Sequence, residues 1–335
     1  MSATTPRYDV LDKEPFRWSD FFLRWEFILA LLLAGVMVMG TVISPYFLDI
    51  WTLSDATFNF SEKAIVALPM ALLILTREID LSVAAIIALA SLAMGLCAGY
   101  GYGPWTLAAI GMFVGFLCGL FNGVLVTKIG LPSIVVTIGT MSLFRGLAQV
   151  VLGDQAVTTY PAGFSTVGQG YLLKWPPIPY SFGIFLILAA IFAVVLHRTS
   201  TGRRLFAIGS NPTAAQFSGI PVERMKLTLF SLTGLMAGLA AVLLTSRIGS
   251  TRSNIALGWE LDVITMVILG GVSIAGGVGS IGGVVLAVFV LGLSTLALSL
   301  INVPGIVISV LMGLLLIISI AAPIMIRRIM DFRAA

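Results

Sequence analysis

The chain has 335 residues, of which 59% are hydrophobic and 10% charged, and its mean hydropathy is +1.07. An ordinary soluble domain is about 25% charged, so this composition excludes a soluble enzyme, a disordered tail protein and any large domain outside a membrane. The net charge of +4 matters less than where its 19 Lys and Arg and 15 Asp and Glu residues fall.

Residues 1–26 are polar and carry charges of both signs. They lack the short basic start and small-residue cleavage site of a signal peptide. Trp18, Phe21, Phe22 and Trp25 recur at i, i+3, i+4 and i+7, opposite Arg17, Asp20 and Arg24. That spacing predicts either an amphipathic helix lying in the lipid interface or belt aromatics entering the first span. At ~20 apolar residues per crossing, the remaining length holds roughly ten spans. Ten hydrophobic segments are legible, at 27–44, 62–76, 82–100, 104–127, 133–152, 180–197, 226–247, 259–274, 281–301 and 305–326. The predicted fold is therefore all-α: a polytopic membrane bundle of about ten transmembrane helices over 27–326, with a tail at 327–335. Segments 62–76 and 259–274 are short for a full crossing, as where helices break inside a transport domain.

With an even number of spans, fourteen basic residues fall on one side and four on the other, with Arg145 inside a span. The bias places both termini of a multi-pass membrane protein in the cytoplasm. Ile129-Gly-Leu-Pro-Ser-Ile-Val-Val-Thr-Ile echoes Ile301-Asn-Val-Pro-Gly-Ile-Val-Ile-Ser-Val, either by duplication or by coincidence of apolar residues.

Catalytic and metal chemistry have little to work with. Cys97 and Cys118 lie inside apolar runs, and His197 is the sole histidine. No disulfide framework, zinc site or Ser-His-Asp triad can be assembled, and no Walker A loop is present. The chain is predicted to be no enzyme, with no cofactor, metal or nucleic-acid partner. Any ATP it depends on is hydrolysed by another chain.

The loop at 198–225 is the most informative polar stretch. Asn211 is a good helix N-cap, Pro212 suits the first helical position, Gly219 suits the C-terminal cap and Pro221 forbids continuation. A two-turn helix at 212–218 follows. Its small face, Ala214, Ala215 and Ser218, fits a groove in a partner, with Gln216 and Phe217 orienting it and Thr213 in the same docking segment; an ordinary interfacial helix is the alternative. In the turn Arg77-Glu78-Ile79-Asp80, Asp80 and Ser82 suit capping of the next helix, while Glu78 and Asp80 also suit a gate. Ser142, Arg145 and Gln149 share one helix face, and Thr137 and Thr140 mark another. With Asn122 they suit a wet path for a neutral, hydroxyl-rich solute; snorkelling is the other account of Arg145. Gly111, Gly115, Gly119 and Gly123 recur every fourth residue, a ridge for close helix packing. Seven glycines in residues 270–283, Gly276 and Gly277 among them, predict a helix break or gate. Arg247, Arg252, Glu260 and Asp262 lie where a soluble protein outside the membrane can reach them. An ion-coupled carrier would need acidic residues deep in the bundle, and all fifteen acids lie at ends, loops or turns by this reading.

Several stretches, taken in order, resemble the sugar-type ABC importer permeases, the ribose, xylose, arabinose and rhamnose group. They are Gly202-Arg203-Arg204 through Gly219-Ile220-Pro221, Glu78-Ile79-Asp80-Leu81-Ser82-Val83, Asn122-Gly123-Val124-Leu125-Val126, Leu131-Pro132-Ser133-Ile134-Val135 through Thr140 and Arg145-Gly146, and Leu269-Gly270-Gly271 through Gly282-Gly283. The likeness covers roughly residues 60–325 and departs at Arg77-Glu78, where that family more often has two glycines. The nearest variants are the rhamnose-type permeases, then the autoinducer-2 type. The resemblance implies that the helix beginning at Asn211 docks on a separate ATPase subunit. It also implies a periplasmic sugar-binding protein, a second permease, identical or paralogous, and a monosaccharide cargo, with rhamnose favoured.

Overall fold

The computed structural model describes residues 25–311, 313–315, 317, 318 and 321. The segment before Trp25 and the tail at 327–335 lie outside these residues. Long apolar runs become helices because, in lipid, a helix satisfies all of its backbone polar groups within one segment. In chain order the helices are α1 (Trp25–Ile43), α2 (Ile50–Leu75), α3 (Val83–Ala98), α4 (Pro104–Thr127), α5 (Ser133–Leu152), α6 (Phe164–Gln169), α7 (Tyr180–Arg198), α8 (Ser200–Ser210), α9 (Pro212–Phe217), α10 (Val222–Ile248), α11 (Trp259–Leu269) and α12 (Ile281–Leu300).

Seven of them, α1, α2, α4, α5, α7, α10 and α12, are long and apolar enough to cross a membrane. The other three predicted segments are the shorter α3 and α11 and an apolar helical stretch at Gly305–Leu315. Ten apolar segments are thus helical, but seven reach crossing length among the described residues. Between α6 and α7, β1 (Tyr171–Lys174) pairs antiparallel with β2 (Pro177–Pro179), Lys174 opposite Pro177. This small hairpin modifies the all-α expectation.

The segment at 62–76 is not short. It is the second half of α2, which runs 26 residues with Pro69 inside it and Asp49 capping it through the Trp51 and Thr52 amides at 3.1 Å. The polar residues where the predicted segment begins, Asn59, Glu62 and Lys63, are each bonded within the bundle. The glycine-rich break is real: α11 ends at Leu269, with Gly271 left-handed at φ 86°. The two echoing turns also resemble each other in conformation, Gly130 (φ 81°) and Asn302 (φ 58°) each preceding a Leu-Pro or Val-Pro step.

α2 lies at the centre, every side chain from Ala64 to Leu75 buried, with α3 and most of α10 around it. α1, α4, α5 and α7 bury one face and expose apolar side chains on the other. The glycine ridge of α4 meets a second pair, Gly234 and Gly238, on α10. A Cβ on Gly115 would stand 2.4 Å from the Gly234 oxygen, and one on Gly119 would stand 2.3 Å from the Phe230 oxygen. The two backbones therefore touch directly, as small residues permit in membrane bundles.

Candidate functional site

α7 ends at Arg198 and the chain turns at Thr199. Its Oγ1 donates to the Val195 oxygen at 2.6 Å and accepts from the Gly202 amide at 3.4 Å. A Cβ on Gly202 would lie 1.8 Å from the Leu196 oxygen, so glycine alone allows α8 to fold back at this corner. α8 then delivers the chain to α9.

α9 forms as the residues dictate. Asn211 Oδ1 accepts from the Ala214 amide at 3.0 Å, and Pro212 is the first helical residue. At the other end the Ile220 amide donates to the Ala215 oxygen (3.1 Å) and the Gly219 amide to the Gln216 oxygen (3.0 Å), with Gly219 at φ 81°. That is the paired bonding of a Schellman C-terminus. The helix is one residue shorter than predicted, Ser218 serving as its cap. Of the expected outward residues only Ala215 is turned in. Ala215 is 4% exposed, while Phe217 is 89% exposed, with Thr213, Ala214, Gln216 and Ser218 also outward. α9 packs on α8 and α10, and the alanine is the side chain small enough to sit against them. The outward knob is aromatic.

The turn between α2 and α3 holds this segment from both sides. Arg77 adopts φ 68°, a left-handed conformation that costs a non-glycine residue about 1–2 kcal/mol. Its Nε donates to the Gly209 oxygen and its Nη2 to the Ser210 oxygen, both at 2.7 Å. These are C-terminal carbonyls of α8, which lack helical partners and lie at the negative end of the helix dipole. Glu78 forms an ion pair with Lys226 of α10. Gly276 and Gly277 close the same junction: the Gly277 amide donates to the Leu75 oxygen at 3.0 Å, and a Cβ on Gly276 would lie 2.5 Å from Arg77 Cγ.

Three residues further on, Asp80, Ser82 and Asn122 form a fully buried cluster. Asp80 Oδ1 accepts from the Ser82 amide (2.8 Å) and the Ser82 hydroxyl (2.6 Å), and Asn122 Nδ2 donates to Ser82 Oγ at 2.8 Å. Asp80 Oδ2 and Asn122 Oδ1 have no partner. Burial pushes the Asp80 carboxyl above its ordinary range, against the opposing bonds from Ser82. The Ile79 amide reaches Ser133 Oγ at 3.4 Å, so the start of α5 meets this turn as well.

The residues predicted to line a path fall in three places. Asn122 belongs to the Asp80 cluster. Thr137 and Thr140 are buried and donate along their own helix, to the Ser133 (2.8 Å) and Thr137 (3.4 Å) oxygens. Ser142 and Gln149 are exposed. Arg145, rather than snorkelling, donates to the Ser253 and Ile255 oxygens at 2.9 and 2.7 Å and pins the loop before α11.

Two of the charges expected to face a soluble partner are engaged inside the protein. Arg247 grips Glu62 through Nε–Oε1 (2.7 Å) and Nη2–Oε2 (2.9 Å) and reaches Asn59 at 3.2 Å. Asp262 pairs with Lys63 at 2.5 Å. Arg252 is exposed and Glu260 partly so. Sequence reasoning missed Lys226, Glu62 and a buried hydroxyl network in which Ser91 Oγ meets Thr245 Oγ1 (2.7 Å) and Thr251 Oγ1 (2.6 Å). For Glu62 the signal was a carboxylate inside an apolar run; the hydroxyls are scattered over three elements and carried none.

Residues 52–320 match the protein family described as "Branched-chain amino acid transport system / permease component". The chain is similar to the Autoinducer 2 import system permease proteins LsrD of Photorhabdus temperata (35% identical over 302 residues), Salmonella paratyphi A (37% over 298) and Yersinia enterocolitica (37% over 301), each alignment covering 88% of this chain and 90% of the relative. No solved structure matches.

Proposed function

Because the chain belongs to the branched-chain amino acid transport system / permease component family, and is thus a sugar-type ABC importer permease and not an enzyme, we propose a specific division of labour for it. α9 docks on an ATPase subunit with two nucleotide-binding halves, with Phe217 as the anchor. A soluble binding protein delivers the solute at the opposite end of the bundle, and a second permease copy or paralogue completes the path. Two conformations alternate, and ATP drives the cycle only if it binds one of them more tightly. Both termini and the docking end face the cytoplasm, in keeping with Arg77, Lys128, Arg203, Arg204, Arg224 and Lys226 gathered near it. The relatives named for autoinducer 2 import favour that compound over rhamnose as the cargo.

The observation that carries this reading is Phe217, a large apolar side chain held almost wholly exposed on a helix capped at both ends. Exposed aromatics of this kind anchor interfaces. The test is co-purification with the ATPase, followed by ATP-dependent uptake of labelled autoinducer 2 and rhamnose in proteoliposomes. Phe217→Asp should abolish association while leaving the permease folded. Retained association, or uptake driven by an ion gradient without the ATPase, would overturn the reading in favour of a secondary carrier.

A further inference from the structure

From the geometry we infer that Arg77 and Glu78 are positioning residues forming a two-armed yoke, which relays displacement of α9 to α4 through the turn that carries Asp80 and Ser82. The inference rests on docking at α9 but goes beyond it, because docking requires only the exposed face of that helix.

Three observations carry it. First, the arms are adjacent in sequence but grip opposite flanks of α9. Arg77 holds the Gly209 and Ser210 carbonyls immediately upstream, and Glu78 holds Lys226 downstream. A shift of α9 in either direction therefore pulls on the same dipeptide. Second, there is no slack at the junction. A Cβ on Gly209 would lie 2.0 Å from the Leu75 oxygen and 2.4 Å from the Gly277 nitrogen, so α8 lies backbone to backbone on the end of α2. Third, the same turn grips α4 beyond the arms. Ser82 bonds both Asp80 and Asn122, and Asn122 lies on the helix fused to α10 by the glycine contacts. Asp80 Oδ2 and Asn122 Oδ1 are buried and unpartnered here. A buried polar atom without a partner is costly, so this arrangement leaves bonding capacity for a second state to use.

The test uses the permease reconstituted with its ATPase and binding protein, and compares wild type, Arg77→Gly, Glu78→Ala and the exchange Glu78→Lys with Lys226→Glu. Arg77→Gly removes both donors while relieving the left-handed strain, so folding is preserved. Each single variant should keep the ATPase bound and hydrolysing, while solute moved per ATP falls roughly tenfold, within the range that site-to-site couplings span. The charge exchange should restore at least half of the lost transport. Normal transport in the single variants, no recovery in the exchange, or loss of ATPase binding together with hydrolysis would each overturn the relay. If the wild type itself retains no ATPase, the docking reading fails, and the relay fails with it.

Discussion

Glu62 has no exposed surface, and its charge is met by the fork of Arg247. Breaking a buried pair by removing one member leaves the other uncompensated, at about 3–5 kcal/mol, whereas replacing both with apolar side chains is often neutral. Glu62→Gln should therefore lower the midpoint of thermal unfolding in detergent sharply, and Glu62→Met with Arg247→Met should recover most of the loss. The glycines divide in the same way. Gly119→Ala drives a methyl into the Phe230 carbonyl, an overpacking cost of about 1–3 kcal/mol, while Gly139 has open space around its Cβ position. Thermal melts should separate the two, Gly139→Ala remaining at or above wild type. At this scale the sequence disclosed which residues are unusual but not whom they meet. Arg77 stood out as a departure from paired glycines, and its left-handed backbone is tolerated because α8 holds its side chain and the end of α2 its main-chain amide.

At the scale of elements, α9 was legible because its signals are local: a cap, a proline at the start, a glycine at the end and a proline beyond. Which residue it buries is a tertiary fact, set by α8 and α10: of the small residues Ala214, Ala215 and Ser218, only Ala215 turns inward. Losing an N-cap costs about 1 kcal/mol, and a difference of that size changes an opening equilibrium about fivefold. Asn211→Ala should accordingly speed amide exchange at Ala214 about fivefold, with α10 unaffected; an unchanged rate would show that α9 is held by packing alone. α2 was read short for a related reason. The polar side chains where the predicted segment begins have partners almost 200 positions away in sequence.

For the molecule as a whole, composition and periodicity gave the helical membrane class, while seven helices rather than about ten reach crossing length among the described residues. The proposed path was less legible, because helical spacing groups Ser142, Arg145 and Gln149 on paper while the fold sends Arg145 to backbone carbonyls and leaves the other two on an outer face. A lining built from them would need a second subunit, so alanine at Ser142 and Gln149 should reduce uptake without lowering the melting temperature of the isolated chain. If those variants transport at wild-type rates, these two side chains do not touch the solute.

The bare contact between α4 and α10 has one more consequence. With carbonyls seated against α-carbons and no side chains between them to act as bearings, the two rods cannot slide past each other without first separating. They must tilt together as one beam, and shape change during the cycle has to be taken up at the beam's outer surfaces. Spin labels on Val114 and Leu235 should keep one fixed separation in every nucleotide state, even while labels elsewhere move apart.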